Sequence, residues 1–156
     1  MDMIPLLPDF LDLLRFLNEE RVEYHVVGGM AVNFYGYHRS TGDLDVWVAL
    51  TPENENRLAT ALKRFGFSDG SLARRPLLEK SKFIRIGNQP VRVEIHADIS
   101  GVDFRECFAN SVTCDVQGVP VRFIGLNDLK QNKLAAGRAK DLADIEALPS
   151  KESDAT

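Results

Sequence analysis

From Asp43 to Leu50 the chain alternates, with Leu44, Val46 and Val48 at even positions and Asp43, Asp45 and Trp47 at odd ones. Successive strand residues point to opposite faces of a sheet. Leu44 to Leu50 is therefore expected as a strand, its even face apolar and in a core, and the odd face that starts with Asp43 bearing two carboxylates. At about 3.3 Å of rise per residue, those carboxylates stand roughly 6.6 Å apart along the backbone. Upstream, Tyr24 to Val27 reads as a short buried strand that runs into Gly28-Gly29, where the backbone is bare. Two acids converging on one spot beside a Gly-rich turn suit a divalent metal together with a phosphate ester.

The remaining elements follow from spacing. Phe10, Leu13, Leu14 and Leu17 repeat at helical intervals after Pro8-Asp9. Met30 to Tyr35 reads as a short helix that Gly36 can end. Thr51-Pro52 looks like a cap and first-turn proline, opening a helix with Leu58, Ala61, Leu62 and Phe65 inward and Gly66 as its stop. Ser68 to Leu78 reads as loop. Phe83 to Ile86 and Val91 to Ile95 read as strands about the turn Gly87-Asn88-Gln89-Pro90. Phe104 to Asn110 forms a short helix in this reading. Val112 to Val116 and Val119 to Ile124 form a hairpin through Gln117-Gly118. Asn127-Asp128 would cap a helix to Ala136, Gly137 would break it, and Lys140 to Leu148 would be the last helix. The expected fold is α+β, a mixed sheet with flanking helices and a helical C-terminal end. Residues 1–148 form one domain in this reading and 149–156 a polar tail.

Composition sets limits. A chain of 156 residues, 44% hydrophobic and 27% charged, is expected to be one globular domain. A net charge of −4 argues against a nucleic-acid coat protein but leaves room for an enzyme with a local basic patch. Cys107 and Cys114 have no metal-ligand spacing. Cys114 alternates with Val112 and Val116 as a core residue would. The N-terminal segment lacks the pattern of a secretory signal, and no apolar run approaches the roughly 18 residues of a membrane span. A reducing cytoplasm is the expected setting, with no membrane partner.

Two-metal phosphoryl chemistry calls for a third carboxylate from a neighbouring strand. The stretch Val91 to Asp98 supplies candidates: Val93, Ile95 and Ala97 share one face, and Glu94, His96 and Asp98 share the other. The ordered set Gly28-Gly29, Arg39-Ser40-Thr41-Gly42-Asp43-Leu44-Asp45 and Glu94 resembles the nucleotidyltransferase superfamily of the polymerase-β type. The stretch Asn127 to Ile145 is similar to the helical ending of its minimal bacterial members, those of the abortive-infection and toxin–antitoxin kind. The resemblance implies that Gly28 and Gly29 cradle an NTP triphosphate through backbone amides. It implies that Asp43, Asp45 and Glu94 are catalytic and hold Mg²⁺ or Mn²⁺, with Glu94 also helping to activate the acceptor hydroxyl. Arg39, Thr41 and Lys133 join the nucleotide-binding set. The chain departs from the family where Glu94 stands for the commoner Asp, and where His96 replaces an aliphatic residue.

Each residue has a plainer reading beside the sharp one. Gly28-Gly29 could be only a tight turn, and Asp43 and Asp45 only strand-edge acids. Arg39 is balanced between pairing with a carboxylate and meeting a ligand, and Thr41 between capping the turn and touching phosphate. Asp98 rivals Glu94 as third ligand. His96 is more often a half-buried histidine than a ligand, and Trp47 more often core than a stacking platform. Lys130 and Lys133 share a helix face that could meet phosphates, although solvated lysines are commoner. Arg74, Arg75, Lys80 and Lys82 make a basic region that could grip RNA or be plain surface charge.

The expected function is Mg²⁺-dependent transfer of NMP from an NTP to a hydroxyl acceptor on protein, RNA or a small molecule. The alternative is the same fold, catalytically weak or silent, acting with a small cognate protein in a toxin–antitoxin-like module. A kinase or phosphatase is a third reading, disfavoured by the order of the motifs and by the lack of a P-loop sequence.

Overall fold

The alternation from Asp43 onward builds the centre of a six-stranded mixed sheet in the computed structural model, which describes residues 5–39, 41–67, 70–88 and 90–151. In chain order the elements are α1 (Pro8–Glu19), β1 (Tyr24–Val27), α2 (Gly28–Phe34), β2 (Asp43–Val48) and α3 (Pro52–Arg64), then a 3-10 turn at Gly70–Ala73. There follow β3 (Phe83–Asn88), β4 (Val91–His96), α4 (Phe104–Ala109), β5 (Val112–Val116), β6 (Val119–Phe123), α5 (Leu126–Ala136) and α6 (Ala139–Ala147). Across the sheet the order is β3-β4-β2-β1-β6-β5. The hairpins β3–β4 and β5–β6 are antiparallel, as is β1–β2, whereas β2–β4 and β1–β6 are parallel.

The apolar face of β2 and β4 is closed. Leu44, Val46, Val93 and Ile95 are all buried, and Phe10, Leu13, Leu14 and Leu17 of α1 join Leu58, Ala61 and Leu62 of α3 in the same core. Thr51 caps α3 as its sequence position suggests, its hydroxyl accepting from the Asn54 amide at 3.1 Å. The hairpin between β5 and β6 turns through Gln117 and Gly118, both at positive φ (50° and 89°), the backbone that a two-residue turn demands.

Several boundaries differ from the sequence reading. Helix α2 starts at Gly28, not Met30, so the two glycines are its first turn, and its N-cap residue Val27 makes no side-chain cap hydrogen bond. Helix α5 starts at Leu126 with Gly125 as its cap residue, not at Asn127-Asp128. The cause is Leu126, which is fully buried and holds the helix start to the core. Strand β3 runs on to Asn88, and α6 begins at Ala139, where Asp141 accepts a hydrogen bond from the Arg138 amide at 3.2 Å. The loop after Gly66 contains the 3-10 turn. Ser40 of the Arg39–Asp45 motif, Ser68, Gln89 of the β3–β4 turn, and residues 152–156 of the polar tail lie outside the described residues. Cys107 is buried and Cys114 half-buried, both free thiols. Burial pushes the Cys107 thiol up to about 12, with Asp128 adding to the effect.

Candidate active site

Pairing register gathers the polar residues on the other face. Antiparallel β1 sets Val27 opposite Asp45, which brings the turn at Gly28 directly beneath that carboxylate. Parallel β4 sets Arg92 beside Asp43, Glu94 beside Asp45 and His96 beside Trp47. Gly28 adopts φ +64°, and a Cβ there would strike the Asp45 carboxylate, with Cγ only 3.1 Å away. A Cβ on Gly29 would come within 2.8 Å of the Thr41 Cβ. The double glycine is thus the only pair that lets the chain turn under Asp45 and against Thr41 without displacing either.

Gly28, Gly29, Arg39, Thr41, Asp43, Asp45, Glu94 and Lys133, the eight residues singled out from sequence, all line one cleft of about 740 Å³. Its floor is the polar face of the sheet, and α5 and α6 form the opposite wall. Within it the acids divide. Donor atoms of Asp45, Glu94 and His96, each half-buried, lie within 4.8 Å of one another. His96 Nε2 is 3.0 Å from Asp45 Oδ1 and 3.9 Å from Glu94 Oε2. Asp43 turns instead to Arg92, whose guanidinium donates to both carboxylate oxygens at 2.9 and 2.8 Å. Arg85 donates to Glu94 at 3.3 Å. Asp98 accepts from the Ser81 amide at 3.2 Å and stands outside the three-residue cluster.

Two carboxylates and an imidazole at this spacing can close on one divalent cation. Asp45 and Glu94 offer the hard oxygens that Mg²⁺ and Mn²⁺ prefer, and His96 a nitrogen suited to softer ions. Asp43 would have to leave Arg92 to become a further ligand.

The wall opposite is an ion network. Arg39 donates to both oxygens of Asp144, at 2.7 and 2.9 Å. Lys133, only 4% exposed, sits 3.2 Å from Asp141 and 3.0 Å from Asp144. Arg138 donates to Asp141 at 2.6 Å. Burial opposes the charged forms of Asp141 and Asp144, but hydrogen bonds from Arg138, Arg39 and Lys133 outweigh it and hold both carboxyls below their ordinary range. Hydrogen bonding to Asp144 likewise raises the Arg39 guanidinium. Arg39 therefore makes the carboxylate pairing, and Lys133 is a buried cation rather than a solvated helix lysine. Lys130 turns away to the Pro149 carbonyl. Trp47 is 1% exposed and packs against His25 and Phe104, with its Nε1 donating to the Ala97 carbonyl at 3.2 Å, so it is core.

Sequence reasoning passed over Arg92, Arg138, Asp141 and Asp144. Arg92 had a signal, since it alternates with Glu94 and His96 on the same face of β4. Asp141 and Asp144 are three apart on α6 and share a helix face, but nothing in their spacing names Lys133 and Arg39 as partners.

A sequence model of the family described as "Nucleotidyl transferase of unknown function" (DUF2204) matches residues 7–154. No curated protein sequence matches the chain. Among solved structures, the chain is similar to a candidate nucleotidyltransferase from Thermotoga maritima (TM1012), with TM-score 0.62, 16% identity and 88% of each chain covered. It is also similar to an antigenic nucleotidyltransferase-like protein from Paracoccidioides brasiliensis, with TM-score 0.53, 16% identity, and 92% of this chain and 77% of the other covered. At that identity the likeness is one of fold.

Proposed function

The chain belongs to this family of nucleotidyl transferases of unknown function, and on that premise we propose that it transfers NMP from an NTP to a hydroxyl acceptor with Mg²⁺ or Mn²⁺. The observation that carries the reading is the convergence of Asp45, Glu94 and His96 beside the bare backbone of Gly28-Gly29. Asp45 and Glu94 would hold the cation. When bound, it would neutralise phosphate oxygens and favour the ionised acceptor hydroxyl. Gly28 and Gly29 line the cleft, and their backbone amides would meet the β- and γ-phosphates next to Asp45. Glu94 would accept the acceptor proton as the new oxygen–phosphorus bond forms and pyrophosphate leaves. His96, hydrogen-bonded to Asp45, orients that carboxylate. The network of Arg39, Lys133, Asp141 and Asp144 fixes the loop that carries Thr41.

The test is incubation with Mg²⁺ or Mn²⁺ and each labelled NTP, alone and with cell extract. Pyrophosphate release and a labelled acceptor are expected. Asp45→Ala should lower the rate roughly a thousandfold, about 4 kcal/mol of transition-state stabilisation. Turnover unchanged by that substitution, or no product with any NTP, overturns the reading. Release of orthophosphate in place of pyrophosphate would mark a kinase or phosphatase.

One observation favours the second reading, a silent or weak member of a two-protein, toxin–antitoxin-like module. Arg92 already neutralises Asp43, and Arg85 reaches Glu94. That reading expects a small protein to copurify with the chain, and Asp45→Ala to leave the association intact.

A further inference from the structure

Strand β3 is one of the two edge strands of the sheet, and its antiparallel register sets Phe83 opposite His96 and Arg85 opposite Glu94. Directly opposed residues share a face, so Phe83 and Arg85 stand on the carboxylate side, one strand spacing beyond Glu94, about 4.8 Å. Phe83 is 49% exposed, and it is the aromatic residue among the exposed large hydrophobic side chains of the described residues. Scattered exposed apolar residues are ordinary. This one differs in its neighbours. The Arg85 guanidinium lies 5.3 Å from its ring centroid, and the His96 ring, a wall of the cleft, lies 5.7 Å away at a tilt of 37°. Edge strands are usually guarded by charge. Here the guard is a wet aromatic ring beside a half-exposed planar cation, with exposed Lys80 and Lys82 just before it.

We propose that Phe83 and Arg85 form a nucleobase-stacking platform at the rim of the carboxylate cleft. The inference rests on the nucleotidyl transfer reading. A triphosphate seated at the Gly28-Gly29 backbone, beside a cation that Asp45 and Glu94 would hold, would leave its nucleoside free to extend outward across β4, over His96 and onto Phe83. The ring stacks the base, and the planar guanidinium extends the stacking surface or meets a phosphate. Because stacking uses the π-face that every base has, the platform recognises a nucleobase without choosing among bases. The base could be that of the donor NTP or that of the last nucleotide of an acceptor strand.

Phe83→Trp converts the platform into a reporter, with the wild-type titration subtracting the signal of buried Trp47. The variant is titrated, with Mg²⁺ present, against ATP, a six-nucleotide single-stranded RNA, a tyrosine-containing peptide and base-free tripolyphosphate. Quenching by ATP assigns the donor base, and quenching by RNA assigns the acceptor base. Tripolyphosphate should leave the emission unchanged. Phe83→Ala should weaken the quenching ligand about five- to tenfold, the lower end of what a stacked base contributes, and Phe83→Tyr should restore it. The proposal is overturned if ATP raises the melting temperature of wild type while neither ATP nor RNA quenches and Phe83→Ala binds as wild type does; nucleotidyl transfer then survives alone. Quenching by the peptide alone overturns it in favour of a protein acceptor. If wild type binds no NTP by thermal shift, the underlying reading fails and this inference with it.

Discussion

Acidification from pH 7.5 to 5.0 should remove about 2 kcal/mol of folding stability through one side chain, His25. His25 lies on β1 with no exposed surface, among the rings of Trp47, Phe104 and Phe108. Neither ring nitrogen has a hydrogen-bond partner among the described residues. Burial lowers its pKa from 6.5 to about 4, and the positive charge of Arg122, whose guanidinium lies 4.2 Å over the Phe108 ring, acts in the same direction. The Cys107 backbone opposes burial by favouring the charged form, an effect larger than that of Arg122, though neither ring nitrogen meets hydrogen-bond geometry. The folded protein therefore refuses a proton that the unfolded chain accepts. Stability from this source is intact above pH 6.5, falls as pH drops towards 4, and changes no further below that. At about 1.36 kcal/mol per pH unit the full loss is about 3 kcal/mol, of which about 2 appears by pH 5.0. The lowered carboxyls of Glu23, Asp141 and Asp144 act in a more acid window, below their ordinary values of 4.5, 3.8 and 3.8.

Urea unfolding at the two pH values measures the drop, as a midpoint shift of about 1 M at a typical slope. His25→Phe keeps a flat ring and removes the titratable nitrogens. Any packing strain from the larger ring acts equally at both pH values, so the difference between them isolates the proton. The variant should lose little over this range. A variant that loses as much as wild type would refute the argument and would mean that His25 meets solvent or a partner when charged.

Three further outcomes follow from the cleft. Gly28→Ala combines a φ of +64° with a clash against Asp45, and should cost about 1–3 kcal/mol in urea unfolding while lowering turnover by moving that carboxylate. Lys133→Met leaves Asp141 and Asp144 buried with less positive charge, and should lower stability by about 3 kcal/mol, measured the same way. Arg92→Gln releases Asp43 to the cleft, and should lower the Mg²⁺ or Mn²⁺ concentration needed for a thermal shift roughly tenfold, the equivalent of one pKa unit.

Much of the fold was legible because local chemistry and global packing agree along this chain. The alternation at Asp43–Val48 names a strand, and Thr51-Pro52 starts a helix whose stripe of Leu58, Ala61 and Leu62 is buried. The misplaced starts of α2 and α5 share a cause. Propensity rules treat Gly28-Gly29 as a turn and Asn127-Asp128 as a cap, but packing decides both. Gly28 must turn under Asp45, and Leu126 must reach the core. Strand order lay beyond the sequence altogether, since β2–β4 and β1–β6 are parallel pairings between segments far apart in the chain.

The site was legible as a set of residues but not as a set of partners, and the partners decide its chemistry. Alternation says that Asp43 and Asp45 share a face. It does not say that a parallel neighbour will lay Arg92 against one and Glu94 against the other. Register settles that: a two-residue shift of β4 would set either Glu94 beside Asp43 or Arg92 beside Asp45. The division also explains how a histidine stands at position 96 without loss of a core position: it sits on the polar face, hydrogen-bonded to Asp45, while Ile95 fills the core. With Asp43 held by Arg92, Asp45 and Glu94 are the carboxylates that remain together. Both carry a basic neighbour weaker than a bidentate guanidinium, His96 at 3.0 Å from Asp45 and Arg85 at 3.3 Å from Glu94. A divalent cation competes more readily with those single contacts than with the two-pronged bond on Asp43. Metal should therefore enter at Asp45 and Glu94 first. Asp45→Asn should abolish the metal-dependent thermal shift, while Asp43→Asn should only weaken it. Equal loss from both would mean that the Asp43–Arg92 pair opens whenever metal binds.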